Sequence, residues 1–182
     1  MKLNFFLSLV IFSTVGALTI SAQIAPASAN LRNFHQVNNT LYRGAQPQDD
    51  EFAELKKIGI ATVIDLRDND DNALKEKAAV EKAGMRFLNF PLGNWSRPEI
   101  KDIEKILAEI NATANQPVFV HCKRGSDRTG TVIAVYRITH DGWSAKQAND
   151  EAKKFGFGWW QFWMRDYIND YYRDFKARNA KP

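Results

Sequence analysis

Cysteine occurs once in the 182 residues, at Cys122, so no disulfide can form within the chain and no thiolate cluster can hold a structural metal. Histidine is nearly as scarce, with three in all, and His, Asp and Glu show no clustered ligand spacing. No metal and no other cofactor is therefore expected. Repeats, low-complexity tracts and internal linkers are absent, which leaves one domain of ordinary size. A dense basic run is missing too. The 25 Lys and Arg against 21 Asp and Glu give a net charge of only +4, spread along the chain, and this argues against a nucleic-acid partner.

Long apolar runs are also lacking, with one exception. Leu3 to Ile20 is mostly apolar, follows the single positive charge of Lys2, and is succeeded by Ala27-Ser28-Ala29. A short apolar stretch followed by small residues at this distance has the form of a cleavable signal peptide. The expectation is a signal over residues 1–29, a cut after Ala29, and a periplasmic or secreted domain over 30–182 with no stable membrane insertion after cleavage. The stretch is marginal for a span. A lone thiol in an oxidising compartment is a liability, so Cys122 asks for a reason.

Past Asn30, the segment to Asn39 reads as a lead-in, and LYRGAQP after it ends in a turn. Asp49 or Asp50 caps a short helix to about Ile58. Further helices are expected over Ala73–Ala83, from the Ser96-Arg97-Pro98-Glu99 capping box to Ile110, over Thr129–His140, from Ser144 to near Gly156, and over Trp159–Lys176. Strands are expected over Ala61–Leu66, Met85–Phe90 and Pro117–His121. Strands alternating with helices imply an α/β fold with a central, mostly parallel sheet flanked by helices. Ligands in such sheets bind beyond the carboxyl ends of the strands. The loops RDNDD, PLGNWSRP and CKRGSDR all fall at that edge.

HCKRGSDRTG (His121 to Gly130) carries the chemistry. Cys122 ends an apolar strand, and Arg128 and Thr129 open the next helix. Loop N–H groups, freed to converge by Gly125, form a nest for phosphate oxygens, and the helix N-terminus adds partial positive charge. Such a field draws a thiol from about 8.5 toward roughly 3.5–7.5. Cys122 is then a nucleophile for phosphorus. Arg128 offers a planar fork to two phosphoryl oxygens, and the hydroxyl of Thr129 can bond the sulfur. Lys123, Arg124, Gly125, Ser126 and Thr129 complete the expected phosphate-binding loop. His121 fixes the loop through hydrogen bonds. The bland alternative is a structural turn around a buried cysteine.

LYRGAQP, GIATVIDLR and HCKRGSDRTG, in that order and spacing, resemble the cysteine-based protein-tyrosine and dual-specificity phosphatases, and within them the atypical dual-specificity group of plants, fungi and bacteria. The resemblance runs from about Phe34 to Gly156. It implies that superfamily's α/β fold and phosphomonoester hydrolysis through a phosphocysteine. Cys122 carries over as nucleophile, Arg128 as phosphate binder and Thr129 as the hydroxyl partner of sulfur. The implied partners are a phosphorylated protein, a lipid headgroup or an inositol phosphate, met by a monomer.

Two departures stand out. Asn94 occupies the loop position where relatives carry an acid-donating Asp, and Asn cannot give a proton. The loop reads Ser126-Asp127 ahead of Arg128, an order that resembles the myotubularin and Sac lipid phosphatases. Asp127 is therefore the first candidate acid, set against a role in pairing with an Arg or capping the helix. Asp68, Asp70 and Asp71 are weaker candidates. The rival functions are a catalytically weak phosphate-binding pseudophosphatase, which Asn94 motivates, and a rhodanese-like sulfurtransferase, which the spacing of Cys122 to Arg128-Thr129-Gly130 fits less well. Arg43 and Arg67 read as loop braces, and His35 and His140 as structural. Trp160, Trp163, Tyr167 and Tyr171 follow helical steps and read as a core-facing stripe, the alternative being a membrane-surface or partner-binding face. Trp143 also reads as packing.

Overall fold

Val63, Ile64, Val118, Phe119 and Val120 lie in short β-branched or aromatic segments, β3 (Thr62–Asp65) and β5 (Val118–Cys122), that are buried along their whole length. Strands with helices on both faces must be apolar on both. The two pair in parallel, Thr62 opposite Val118 and Asp65 opposite His121. β4 (Arg86–Asn89) adds in parallel outside β3, and β2 (Leu41–Ala45) in parallel outside β5. β1 (His35–Asn38) closes the edge antiparallel to β2, giving the order β1-β2-β5-β3-β4. The computed structural model describes residues 31–180. The expected signal peptide and its cut after Ala29 lie outside the described residues.

Strand alternation sorts the core into two layers. Val118, Val120 and Cys122 join Ile64 on one face, packing against α3 (Ile100–Asn111), α4 (Asp127–His140) and α6 (Phe162–Asn179). Phe119 and Val63 point the other way, to Phe52 and Leu55 of α1 (Glu51–Lys57) and Val80 of α2 (Asp71–Lys82). α5 (Ala145–Lys154) packs on α4 and α6 and starts with a full capping box between Ser144 and Gln147. α4 is buried nearly all round, from Asp127 to Tyr136 and again at Ile138, as a helix surrounded by protein must be. The expected α/β architecture holds, with β1 as the one antiparallel strand among the described residues.

Three local expectations need correction. The lead-in holds a strand, β1, and LYRGAQP another, β2, neither of them among the expected strands. Leu41, Arg43, Gly44 and Ala45 are buried beside β5, and the ladder of β5, not any local β-propensity, recruits them. The Ser96 capping box does not form: α3 starts at Ile100, with Glu99 at its cap and no side-chain cap bond. Pro98 biases Arg97 away from helical geometry, which pushes the start past it. The aromatic stripe is real at Tyr167 and Tyr171, which are buried, but Trp160 is 38% exposed and precedes a helix that begins only at Phe162.

Candidate active site

The loop from Cys122 to Arg128 joins the end of β5 to the start of α4. Its carbonyls are drawn outward by donors from other segments. Gln46 N–H donates to Lys123 O at 3.5 Å, Asn33 Nδ2 to Arg124 O at 3.1 Å, and Arg43 Nη2 to Gly125 O at 2.8 Å. With the carbonyls turned out, amides turn in. Gly125 sits at φ +69°, and a Cβ there would fall 2.3 Å from Gly44 O. Only glycine fits the loop against β2. Arg43 is buried beneath it over the ring of Phe155, and burial pushes its guanidinium down to about 10.

Cys122 is 3% exposed. Burial alone pushes its thiol up, but the Thr129 hydroxyl, the Thr129 N–H, the charge of Arg128 and the Arg124 N–H outweigh it, and the net shift is downward. The Thr129 hydroxyl is buried beside the thiol and draws its pKa down. The Arg128 guanidinium is buried and pre-positioned: Nη1 donates to Leu66 O at 3.3 Å and to Leu92 O at 3.4 Å, at the ends of the two neighbouring strand-to-loop passages. It cannot swing away without leaving those carbonyls.

A cleft of about 430 Å³ opens over the sulfur, lined by Asp68, Asn94, Trp95, Lys123, Arg124, Asp127 and Arg128 besides Cys122. The sequence placed Asn94 beside the nucleophile, and it is there. Two carboxyls line the cleft. Asp127 is 3% exposed and already engaged: Oδ1 accepts from Gly158 N at 2.8 Å and Oδ2 from Arg124 Nη2. Asp68 is exposed, and its carboxyl makes no hydrogen bond or ion pair among the described residues. Asp70, by contrast, caps α2, accepting from Asn72 N and Ala73 N, and Asp71 is the first residue of that helix.

Beneath the loop lies a buried charge network. His121 Nε2 is 2.7 Å from Glu76 Oε1, and Nδ1 is 4.0 Å from Asp65 Oδ1. Burial works against the His121 charge, but Glu76 and Asp65 prevail and raise its pKa. Arg67 bonds both Asp65 oxygens and Glu76 Oε2. The sequence showed no clustered ligand set, yet Asp65, Glu76 and His121 bring three candidate ligand atoms within 4.8 Å of one another. Both acids are already engaged, Asp65 and Glu76 by Arg67 and Glu76 also facing His121, so the cluster braces the loop. Arg43 and Arg67 are braces, as expected. Asn33, Glu76 and Gly158 carried no sequence signal, because each acts across more than thirty positions or through its backbone.

Trp95 was also unforeseen. It is 76% exposed on the cleft rim, with Trp159 at 84% and Phe162 at 55%. Trp163 packs against Trp95 at 6.0 Å between centroids, and Arg124 lies over the ring of Trp160 at 5.4 Å.

Comparison with known proteins places this arrangement. Residues 19–161 match the family described as DSP-PTPase phosphatase fused to NAD+ kinase. The dual specificity protein phosphatase TpbA of Pseudomonas aeruginosa is 33% identical over 127 residues, 69% of this chain and 56% of that protein. The inositol diphosphatase DSP2 of Oryza sativa is 27% identical over 130 residues, 68% of this chain and 61% of that one. The chain thus spans little more than half the length of the curated relatives it matches. The crystal structure of TpbA superposes with a TM-score of 0.67 at 29% identity, covering 80% of this chain and 91% of that one. A cysteine-to-serine form of TpbA in complex with phosphotyrosine gives 0.66 at 28%, covering 80% and 90%. By the extent of the family match, and with the loop of Cys122 and Arg128 at its centre, the chain belongs to the DSP-PTPase phosphatases.

Proposed function

We propose that this protein is an exported phosphatase that hydrolyses phosphomonoesters through a phosphocysteine at Cys122. The observation that carries the reading is a buried thiol held toward its thiolate by Thr129, Arg128 and loop amides, at the floor of a cleft walled by that same arginine. The thiolate attacks phosphorus, the phosphorus–oxygen ester bond breaks, and the leaving oxygen takes a proton from a cleft carboxyl. Arg128 and the loop N–H groups hold the equatorial oxygens as charge shifts onto them. Water then attacks the phosphocysteine. The sulfur–phosphorus bond breaks, the carboxylate takes the proton from water, and Thr129 stabilises the departing thiolate.

The proton donor is one of the two cleft carboxyls. Asp127 was the first candidate, but both of its oxygens accept hydrogen bonds, and a carboxylic acid needs one oxygen free to donate. Asp68 is not so engaged, and the reading assigns it the proton. Asp127 then pins the turn before α6 to the loop.

Export rests on Leu3–Ile20 and Ala27-Ser28-Ala29. For the substrate, Trp95 offers a flat wall to an aryl phosphate such as phosphotyrosine. A second cleft of about 390 Å³ shares Asp68, Lys123 and Arg128 and is lined further by Arg67, Asp70 and Asn72; Lys123 there is the cation for a further phosphate of an inositol phosphate, Arg67 being held by Asp65 and Glu76. Asn94 in place of an acid keeps a weak, phosphate-binding role as the second reading. The test is a rapid acid quench of the protein with a labelled aryl phosphate. Label on Cys122 by mass spectrometry, with steady release of phosphate, is the expected result. Phosphate binding without label or turnover would establish the second reading instead. A panel of phosphotyrosine peptides and inositol polyphosphates then ranks the substrates.

A further inference from the structure

Four of the six large apolar side chains exposed among the described residues are Trp95, Trp159, Trp160 and Phe162, and all four gather at one end of the molecule. Trp95 lines the cleft itself. Trp163 joins it to Phe162, with ring centroids 6.0 and 4.7 Å apart. On the opposite rim Arg124 covers Trp160, which meets Trp159 edge-on at 5.9 Å. Exposed aromatics gathered on both sides of one cleft mark an interaction site and not a solvent face.

The chain that builds it is basic. KKFGFGWWQFWMR, Lys153 to Arg165, holds six aromatic residues and three cations with no acid between Glu151 and Asp166. The aromatics divide their labour. Phe157 packs on the core, Phe155 on Arg43 and His35, and the chain just after them is tied to the catalytic loop through Gly158 N–H and Asp127. Anchored there, Trp159, Trp160 and Phe162 project outward. Lys154 and Arg165 are exposed and make no ion pair among the described residues, and Lys153 reaches only Asp150 at 3.5 Å. Lys123 and Arg124 extend the positive rim to the cleft mouth.

We infer that this face docks on the surface of an anionic phospholipid bilayer, with Trp95, Trp159, Trp160 and Phe162 at headgroup depth and the cleft of Cys122 turned toward the membrane. Tryptophan beside Lys and Arg is the composition of membrane interfaces, where an amphipathic ring sits among headgroups and cations meet anionic lipid. Charge complementarity selects lipid over a peptide: a peptide anchor needs a groove, whereas these rings form a projecting rim with cations around it. No helix among the described residues is long and apolar enough to cross a membrane, so the mode is surface docking. The inference concerns binding and does not depend on turnover.

Tryptophan reads the test directly. All five lie between Trp95 and Trp163, four of them on the rim, and the apolar leader holds none. The full chain is mixed with vesicles of phosphatidylglycerol and brominated phosphatidylcholine, and with neutral brominated vesicles alone. Quenching and a blue shift on the anionic vesicles, weakened by salt, are expected. Trp159→Ala with Phe162→Ala should lower partitioning by about tenfold or more, since both rings lose their buried area. Lys153→Glu with Lys154→Glu should lower it on anionic vesicles by roughly fivefold or more and leave neutral vesicles little changed. Turnover of p-nitrophenyl phosphate in solution should be the same in both variants, which shows that they fold. Unquenched tryptophan in the wild type overturns the inference. So does partitioning that neither variant alters, which would place the contact in the leader. A rise in KM for phosphotyrosine peptides in the Trp159 and Phe162 variant, without change on vesicles, would make the rim a peptide dock instead.

Discussion

A thiol buried as Cys122 is would ordinarily resist ionisation. Cys122 does the reverse because hydrogen-bond donors and one guanidinium converge on it. Its alkylation by iodoacetamide should therefore show a midpoint below the usual 8.5 or so of a free thiol, and Thr129→Val, which keeps the shape and removes the hydroxyl, should move the midpoint up. An unmoved midpoint would mean that Thr129 only packs. Cys122→Ser should cost at least about a thousandfold in kcat, since the loop cannot ionise a hydroxyl. Arg128→Lys should cost about 10²–10³-fold, because a point charge cannot replace a two-pronged donor. The two carboxyls separate by leaving group. Asp68→Asn should slow alkyl phosphates far more than p-nitrophenyl phosphate, whose leaving oxygen needs little protonation. Asp127→Asn should slow both alike, and should lower stability, because its carboxylate holds Gly158 N–H at 2.8 Å. If the two variants exchange these behaviours, Asp127 is the acid.

At the scale of elements, the catalytic loop is shaped less by its own residues than by β2, the strand beside it. The backbone of Gly44 and Ala45 lies where a Cβ on Gly125 would fall, and Arg43 takes the Gly125 carbonyl. Gly125→Ala combines a left-handed backbone with a 2.3 Å approach to Gly44 O, so about 1–3 kcal/mol of stability should be lost and phosphate binding with it. Thermal melts with and without inorganic phosphate read both: a lower Tm and no shift on adding the ligand. A ligand-induced shift equal to the wild type's would show that the loop tolerates a side chain. This contact explains what the sequence revealed and what it hid. TVID, VFVHC and the helix from Arg128 are local patterns, and the motif residues Cys122, Arg128 and Thr129 fall where strand turns into helix. HQVN and LYRGA have no local reason to be strands; LYRGA pairs because β5 offers it an edge, and HQVN because β2 then offers the next. Asn33, Glu76 and Gly158 reach the loop only after the chain has folded, across separations no spacing rule spans. Trp160 misled for a related reason. Its helical phase continues into α6, but the tie between Gly158 and Asp127 holds the chain in a turn until Phe162.

For the whole molecule, two properties follow from charge and its placement. The mature protein should begin at Asn30, outside the cytoplasm, and N-terminal sequencing of the exported form checks this; a retained Met1 on the main active species would refute it. The second is the dependence of stability on pH. His121 is buried against Glu76 and Asp65, and its folded pKa is raised. In the unfolded chain it titrates near 6.5. Its contribution to stability is thus fully present below about 6.5 and fades as pH rises through the higher folded value. Glu76→Gln removes the largest support for that charge and leaves a buried cation with Asp65 alone. Breaking a buried pair costs about 3–5 kcal/mol, so Tm at pH 6 should fall by roughly 6–20 °C for a domain of this size. The gap should narrow as pH rises through the folded pKa of His121. Cys122 works in the opposite sense. Its pKa is depressed, so its contribution is present above the unfolded value and is lost as pH falls through the folded one. Measuring both proteins in a Cys122→Ser background removes that opposing slope, and phosphate-free buffer removes ligand stabilisation. A gap between the Glu76 forms that is constant from pH 6 to pH 9 would show that His121 is neutral in the folded protein, and that Glu76 acts through Arg67 alone.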